Sequence, residues 1–555
     1  MLFSMEKVRK HVVLTLALVL MIALFSGCGT SNEPTPDPTS TVNTSEETSA
    51  TASAQVNEKL GGLTLPIVKE PITLKYYYNM DSAFASVGLQ SINDVEGTKE
   101  LEKKTGIHME FIHPPESTES EFFSTMIASG DYPDIIETLW ERDGGAKQFL
   151  TDGVIIPLKD QIEQYAPNIS KVLKENPNIY REISTADGEL YCFPDAINLD
   201  VKTSLWYGMM MREDWLQKLN LKVPETIQEL HDVLTAFKEK DPNGNNKQDE
   251  IPFACKGLYG LTNLIYAWGM ADDFYVVDGK VQYPALQPEY KDYLTTLSNW
   301  YKEKLIDPDF ATTDEDQQLA KLTNNQVGTV IRGVGIIDTV KQAVPDSVQV
   351  GISYPKAPDG NVYNFHSQAG RSFSGWGVAI TSKNKYVRET VQYLDYGYSE
   401  EGNLLYNFGL EGKSYNMVDG KPKYTESLTK NPKYDLLTAL ALYARGAAPG
   451  PYVADVNKWY QLFSLPEQTR TLDTWAKAST KRNLPPIELT AEENDDILSA
   501  DNEVYNYRAE MELKVILGVE PVNKIDTIVQ TLKDLGVEKC LEVRQKAYDR
   551  YMIKK

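Results

Sequence analysis

Histidine, cysteine and positive charge are all scarce in this chain. Among 555 residues there are 5 His and 4 Cys, and 56 Lys and Arg stand against 79 Asp and Glu. Four cysteines cannot build a disulfide scaffold, and five histidines argue against a His-rich metal site. The formal net charge of −23 argues against generic nucleic-acid binding, which needs a basic face to displace counterions from phosphates.

The common catalytic and nucleotide-binding motifs are also missing. No histidine is followed by Glu, so there is no His-Glu-x-x-His zinc motif, and no Gly-x-Ser-x-Gly elbow occurs. Gly412-Lys413-Ser414 resembles the end of a P-loop, but Asn407 stands where the first glycine belongs. Carboxylates are plentiful, and a glycosidase pair would be recognised only by its geometry.

What the chain does contain is typical of a globular protein. Apolar residues make up 41% and charged residues 24%, with 32 Tyr and 8 Trp. This composition can furnish a large core and is not that of a disordered chain. The length exceeds the roughly 100–200 residues of one domain, which predicts more than one lobe.

The N-terminal segment has the pattern of a secretory signal. Lys7, Arg9 and Lys10 precede an uncharged apolar run, Val12–Phe25. As a helix this run would span about 21 Å, too short for a hydrocarbon core of ~30 Å. It ends in Leu-Phe-Ser-Gly-Cys-Gly, which resembles a bacterial lipobox and predicts that Cys28 is lipidated. The alternative is an ordinary signal peptide with a chance cysteine.

Residues 29–60 are predicted to be a flexible tether. They hold twelve Ser or Thr, three Pro and no aromatic residue, so they cannot bury enough apolar surface to offset their ordering entropy. Acyl chains and a tether together predict a protein held at the outer face of the cell membrane. Cys192, Cys255 and Cys540 are interpreted as buried apolar residues.

The first part of the folded chain alternates strands with helices. Strands are predicted over Pro71–Tyr78, Ile107–Ile112 and from Tyr132, with helices between them. This order predicts a doubly wound α/β lobe, with ligands bound at the carboxyl ends of the strands. Later strands are predicted at Val327–Ile331 and Gly375–Ile380.

The chain becomes richer in helix beyond about residue 200. Thr226 and Glu229 form a capping-box pair, and Ile525–Leu535 carries one apolar stripe. The predicted organisation has four parts: a signal peptide at 1–27, a lipidated cysteine and linker at 28–60, an N-terminal α/β lobe from 61–195 plus 326–382, and a helix-rich C-terminal lobe from 196–325 plus 383–555.

The segment 241–250 has the ligand pattern of a calcium loop. Asp241, Asn243, Asn245 and Asp249 supply side-chain oxygens at positions 1, 3, 5 and 9, and the Lys247 carbonyl would serve at position 7. Two features depart from the EF-hand pattern. Asn stands for Gly at position 6, and Pro replaces the Glu of position 12, so that Glu250 must substitute for it. The alternative is an Asx-rich turn without metal.

The motifs together resemble the extracellular solute-binding lipoproteins of carbohydrate ABC importers. The subgroup concerned is that of Gram-positive alginate- and pectin-oligosaccharide-binding proteins. The likeness covers about residues 65–552. It rests on Met211–Thr226 followed by the 241–250 loop, Ser129–Ile136, Ser399–Gly402, Phe408–Tyr415, Ile516–Gly518 and Ala547–Tyr551.

The resemblance implies a periplasmic-binding-protein-like α/β fold of two lobes joined by a hinge. It implies a structural calcium ion held by Asp241, Asn243, Asn245, Lys247, Asp249 and Glu250. It also implies an oligosaccharide ligand, a membrane permease pair with a cytoplasmic ATPase as partners, and no catalysis. A monomer is expected. The alternatives are a lipid-anchored glycan hydrolase or lyase, and a receptor for a non-sugar solute.

Sugar binding needs aromatic platforms and polar side chains that converge in a cleft. Residues near predicted strand ends and lobe crossings are the candidates. The arginines could pair with a uronate carboxylate, whereas core packing is the alternative for each tryptophan. The candidate residues are Tyr78, Asn79, Trp140, Trp206, Tyr207, Trp268, Arg332, Arg371 and Trp376. Neutral sugars and pectin-type fragments both remain open, with a lean to the latter.

Overall fold

The computed structural model describes residues 58–60, 62–140, 145–366, 369–444 and 450–553. The signal segment and Cys28 lie outside the described residues. The strands of the described chain are β1 (Glu58–Leu60), β2 (Leu63–Leu65), β3 (Ile72–Tyr78), β4 (Ile107–Ile112), β5 (Ile135–Leu139), β6 (Phe193–Pro194), β7 (Tyr207–Arg212), β8 (Ile251–Ala254), β9 (Tyr275–Val277), β10 (Lys280–Gln282), β11 (Val327–Gly333), β12 (Gln349–Gly351), β13 (Trp376–Ile380), β14 (Tyr415–Val418) and β15 (Lys421–Tyr424).

The first lobe is built on a five-stranded sheet in the order β4-β3-β5-β13-β6. The first three strands are parallel, and β13 runs antiparallel to both of its neighbours. The first four residues of β5 are all buried, as expected for a central strand covered on both faces. The predicted strand–helix–strand–helix–strand order is therefore confirmed, and the lobe is α/β.

Helices cover both faces of the first sheet. Helix Glu96–Thr105 ends at Gly106, which adopts the left-handed conformation with φ 76° that glycine tolerates. The helices on this side of the molecule are Ser82–Ser86, Glu96–Thr105, Glu119–Ser129, Gly145–Thr151, Lys159–Tyr165, Pro167–Glu175, Pro177–Glu182, Val387–Tyr396, Glu400–Phe408, Glu426–Thr429 and Leu436–Leu440.

The second lobe is built on a four-stranded sheet in the order β12-β7-β11-β8. Strand β11 is antiparallel to β7 and parallel to β8. The helices of this lobe are Glu213–Lys218, Ile227–Glu239, Gly257–Thr262, Glu289–Lys302, Glu315–Thr323, Ile336–Ala343, Pro466–Trp475, Ala491–Ile516, Ile525–Asp534 and Val537–Ile553. Helix Val456–Leu462 contacts β15 and the short helix Val201–Ser204. The predicted Thr226–Glu229 capping box is present at the start of Ile227–Glu239.

Two glycines let a late helix pack closely on the second sheet. A side-chain carbon on Gly208 or Gly351 would lie within 3.0 Å of the Trp475 ring. Trp475 ends the helix Pro466–Trp475, and its Nε1 donates a hydrogen bond to the Met209 carbonyl at 3.2 Å. The absence of side chains on β7 and β12 at these points therefore makes room for the indole.

The strand pairing corrects the predicted lobe boundaries. Strand β11 was assigned to the N-terminal lobe but pairs with β7 and β8 in the second sheet, as β12 does with β7. Helices Val387–Tyr396 and Glu400–Phe408, assigned to the C-terminal lobe, contribute to the first-lobe core. The end of the predicted tether is also ordered, since Glu58–Leu60 pairs antiparallel with Leu63–Leu65. Boundaries of this kind depend on long-range pairing, which local pattern does not report.

Three chain segments cross between the lobes side by side. Ile197 donates its backbone N–H to the Tyr452 carbonyl at 2.8 Å, and Ala454 returns one to Ile197 at 2.9 Å. Asn198 donates to the Ser372 carbonyl at 2.9 Å. The hydrogen bonds thus tie the segments near residues 197, 372 and 452 into one short connection, the expected place for a hinge.

Two further features of the described residues bear on the sequence predictions. None of the helices in these ranges is both long enough and apolar enough to cross a bilayer. Cys192, Cys255 and Cys540 are buried free thiols, which confirms their interpretation as apolar core residues.

Candidate functional site

A cleft of about 970 Å³ lies between the lobes and is lined by residues from both. The first lobe contributes Trp140, Glu182, Tyr191 and Arg371. The second lobe contributes Tyr259, Asp272, Phe274, Tyr505 and Arg508. The volume falls within the range of small-molecule sites, and the mixture of aromatic and charged side chains suits a ligand with apolar faces and polar edges.

Trp140 follows β5 and forms part of the cleft wall, as its position after a strand end predicted. Its side chain is only 1% exposed, and its Nε1 donates to the Gly377 carbonyl at 2.8 Å. The ring also packs edge-to-face on Phe149. These contacts fix the indole, so Trp140 supports the wall and does not offer an open stacking face.

Glu182 is a half-buried acid on the first-lobe side of the cleft. Its carboxylate accepts the backbone N–H of Phe373 at 2.7 Å. Burial raises the pKa of Glu182 to about 7, although that hydrogen bond and the charge of Arg371 act in the opposite direction. Arg371, the one predicted arginine that reaches the cleft, therefore lies close enough to Glu182 for its charge to act on that carboxyl.

Two exposed tyrosines line the second-lobe side. Tyr259 on helix Gly257–Thr262 is 57% exposed, and Tyr505 on helix Ala491–Ile516 is 61% exposed. Exposed rings on rigid helices can stack on the C–H faces of sugar rings at small conformational cost. Both residues were absent from the sequence-based candidates.

A charged group lies beside these rings. Arg508 is buried with its Nε 3.9 Å from a Glu512 carboxylate oxygen, and Glu512 accepts the Tyr290 hydroxyl at 2.8 Å. Burial raises the pKa of Asp272, while Arg508 partly offsets this. The group supplies both donors and acceptors to the cleft.

Trp206 and Tyr207 do not line the cleft directly but contact His366, which does. The Tyr207 and His366 rings stack with centroids 5.0 Å apart, and the Trp206 ring meets His366 edge-on at 5.6 Å. Burial lowers the pKa of His366 to about 4, so the imidazole is neutral at pH 7. The predicted pair thus extends the aromatic surface through one histidine.

The packing corrects two predictions, those for Trp268 and Arg332. Trp268 is a core residue, 7% exposed, with its Nε1 donating to the Asp292 carboxylate at 2.7 Å. Arg332 is bound by Glu315 at 2.7 Å and Gln318 at 2.6 Å, away from the cleft. Trp376 begins β13 and is half-buried, and it is not among the described lining residues.

The strand-end prediction also fails for Tyr78 and Asn79. Tyr78 is buried, and its carbonyl accepts a hydrogen bond from His113 at 2.9 Å. Its ring packs with Phe84 and Ile92 in a small core of the first lobe. Neither residue is among the described residues that line the cleft.

The cleft residues that the sequence analysis missed carry one recognisable signal. Tyr505, Arg508 and Glu512 follow one another at intervals of three and four, which places them on one face of a helix. Arg508 and Glu512 are charged yet buried, and buried charge is a mark of functional sites. Burial, however, is visible only in the folded chain.

The 241–250 loop folds tightly around the Asp241 carboxylate. Asp241 accepts backbone N–H groups from Gly244 at 2.9 Å, Asn245 at 3.1 Å and Asn246 at 3.0 Å. Gly244 and Asn246 adopt positive φ of 76° and 60°, which glycine and asparagine tolerate. The tight curl that the sequence predicted is therefore present.

The oxygen donors of the loop fit a hard cation, although the carboxylates are not gathered as a ligand shell. Asp249 accepts the side-chain amide of Asn245 at 2.9 Å, and both Glu250 oxygens are buried without a hydrogen bond. Burial raises the pKa of Glu250, and the Asp241 and Asp249 charges add to this. Among the described residues no group of three or more His, Cys, Asp or Glu is arranged to hold a metal. Carboxylate and amide oxygens are nevertheless the donors that calcium prefers.

Comparison with known proteins gives a family match across more than half of the chain. The model of the family described as bacterial extracellular solute-binding protein matches residues 93–404. The fructooligosaccharide ABC transporter substrate-binding protein FusA of Streptococcus pneumoniae is 30% identical over 520 residues, covering 90% of this chain and 94% of that protein.

Two further similarities also concern binding proteins. The polygalacturonan/rhamnogalacturonan-binding protein YtcQ of Bacillus subtilis is 26% identical, covering 62% of this chain and 69% of that protein. A crystal structure of the alginate-binding protein AlgQ2 without calcium ion is 27% identical with a TM-score of 0.68, covering 87% of this chain and 99% of that one.

Proposed function

This chain belongs to the family of bacterial extracellular solute-binding proteins, and on that premise we propose that it captures an oligosaccharide and delivers it to an ABC importer. The observation that carries the proposal is the interlobe cleft, which is lined by exposed Tyr259 and Tyr505, buried Arg508 and half-buried Glu182. Aromatic faces and fixed donors and acceptors are what a pyranose or furanose ring needs. Closure of the lobes about the residue-197 connection would then enclose the ligand.

A thermal-shift panel of oligosaccharides, followed by calorimetry, tests this function. A ligand that binds only the folded state raises the melting temperature. We expect at least one oligosaccharide to do so and to remain intact. Release of reducing sugar from pectic or other polysaccharides would instead support the alternative, a glycan hydrolase or lyase. A shift only with peptides or other solutes would contradict sugar binding.

We further propose that the 241–250 loop holds a structural calcium ion. Asp241, Asn243, Asn245, Asp249 and Glu250 would supply side-chain oxygens, and Lys247 its carbonyl. The buried, unpartnered oxygens of Glu250 support this, because two buried carboxylate oxygens without donors need a cation or water. When bound, the ion would supply positive charge that joins the ends of the loop between helix Ile227–Glu239 and β8.

The proposed cellular setting is the outer face of the membrane, anchored by lipid on Cys28. From there the protein, as a monomer, would meet a permease pair and, through it, a cytoplasmic ATPase. Cys28→Ala should release the protein from the membrane fraction without changing its melting temperature, since residues 29–57 carry no large apolar side chains except valine. Unchanged membrane attachment of a normally processed product would contradict lipidation.

A further inference from the structure

The charges that line the cleft are unequal in number. Among the described lining residues the cations are Arg371, Arg508 and Arg544, with no lysine. The carboxylates are twice as many: Glu182, Asp272, Asp273, Glu488, Asp495 and Glu512. Glu182 and Asp272 have raised pKa values, but the other four carboxylates still outnumber the three arginines, so an anionic ligand meets more acids than bases on the described cleft surface.

Each of these arginines already has an acidic neighbour. Arg544 binds Asp501 at 2.7 Å, and Arg508 lies 3.9 Å from Glu512. Arg371 lies close enough to Glu182 to lower its pKa. A carboxylate on the ligand would have to compete with these fixed partners, and the geometry leaves no arginine of the described lining without an acid nearby.

Two exposed lining acids, in contrast, are not held in an ion pair, although the Asp273 charge acts on Arg508. Asp273 and Asp495 are exposed and form no ion pair with any described residue. At physiological salt the screening length is about 8 Å, which is comparable to the width of a sugar ring, so charges on the cleft surface act on a bound ligand while distant surface charges do not. These two carboxylates would therefore repel a nearby uronate directly.

The polar groups left available match hydroxyls better than carboxylates. The cleft lining offers arginine donors and a larger number of carboxylate acceptors. A sugar hydroxyl both donates and accepts, so it can satisfy both kinds of group, whereas a carboxylate only accepts. A buried carboxylate of the ligand would in addition lose its hydration.

We propose that this cleft selects neutral oligosaccharides and discriminates against uronic-acid oligosaccharides. The proposal rests on the proposed function. It replaces the preference for pectin-type ligands that was stated from the sequence. It assigns Asp273 and Asp495 as specificity-determining residues that act by repulsion, a form of selection against the wrong ligand.

The test compares ligands that differ in charge, using the full-length protein. Calorimetry in 50 mM salt would measure a panel of neutral di- to tetrasaccharides, trigalacturonate and fully methyl-esterified trigalacturonate. We expect the tightest ligand to be neutral and to bind at least tenfold more tightly than trigalacturonate. The tightest ligand being a uronate would overturn the proposal and leave the proposed function intact. Failure of every oligosaccharide to bind would contradict the proposed function itself.

A double variant tests the assigned residues. Asp273→Asn with Asp495→Asn should raise the affinity for trigalacturonate severalfold relative to the affinity for the tightest neutral ligand. Because both side chains are exposed, the variant should fold normally. Asp346→Asn, at an exposed acid of the second lobe outside the cleft lining, is the matched control. An unchanged ratio of acidic to neutral affinity in the double variant would refute the electrostatic basis.

Discussion

The candidate calcium loop and the interlobe cleft are assembled in opposite ways. The loop uses ten consecutive residues, Asp241 to Glu250, whereas the cleft gathers side chains from Trp140 to Arg544. The loop joins a helix to an edge strand of the second sheet, so its integrity belongs to the stability of that lobe. The cleft contains rings that contribute little to the core. Loss of the loop should therefore change stability, and loss of an exposed cleft ring should change binding.

Trp268→Ala should cause the largest loss of stability. It tests whether a core residue can change stability without changing sugar binding. The indole is buried among Tyr293 and its neighbours and hydrogen-bonded to Asp292. Removing a buried Trp costs about 3–5 kcal/mol of unfolding free energy. Chemical denaturation measures this loss, and calorimetry on the folded fraction should show sugar affinity within twofold of wild type. A large loss of sugar affinity in a variant that remains stable would show that Trp268 is a ligand-binding residue.

The pH dependence of the unfolding free energy tests Glu182, the half-buried acid of the cleft. The pKa of Glu182 is about 7 in the folded protein against 4.5 for an ordinary Glu. Because the pKa of Glu182 is raised in the folded protein, its contribution to the unfolding free energy is most favourable below pH 4.5. That contribution is lost as the pH rises through 7. The shift corresponds to roughly 3 kcal/mol at most.

Glu182→Gln isolates that effect. The amide oxygen can still accept the Phe373 N–H, but the side chain no longer titrates. We expect the unfolding free energy of the wild type, relative to that of the variant, to fall as the pH rises from 4.5 to 7. Parallel curves for the two proteins would show that Glu182 ionises normally.

Calcium removal tests the loop. A ligand present at a hundredfold excess over its Kd stabilises the folded state by about 2.7 kcal/mol. Chelation should lower the melting temperature, and Asp249→Ala should lower it in calcium and abolish the further effect of chelator. Asp346→Ala, at an exposed acid of the same lobe, should respond to chelator as wild type does. A protein that contains no calcium by elemental analysis and ignores chelator would contradict the site.

The same contrast explains how much the sequence could predict. The loop, the Thr226–Glu229 capping box and the strand–helix alternation of the first lobe depend on neighbours in the chain, and each is present. The assignment of β11 and the roles of Trp268 and Arg332 depend on distant partners, and these predictions were wrong. The sequence correctly predicted that aromatic rings and arginines line the cleft. Which rings are exposed depends on the packing of the folded chain.

Tyr505→Ala should give the smallest change in free energy of these variants. It should change sugar affinity without changing stability. The ring is largely exposed on a long helix, so its loss should leave the melting temperature nearly unchanged. If it stacks on a sugar ring, affinity should fall about tenfold, which corresponds to about 1.4 kcal/mol. Tyr505→Phe keeps the aromatic face and should bind within about threefold of wild type.

Calorimetry measures these affinities. The melting shift on adding calcium should be the same in all three proteins, because the loop and the cleft share no residue. Tight sugar binding by Tyr505→Ala would leave Tyr259 as the remaining exposed ring for stacking, and an altered calcium shift would show that the two regions are coupled after all.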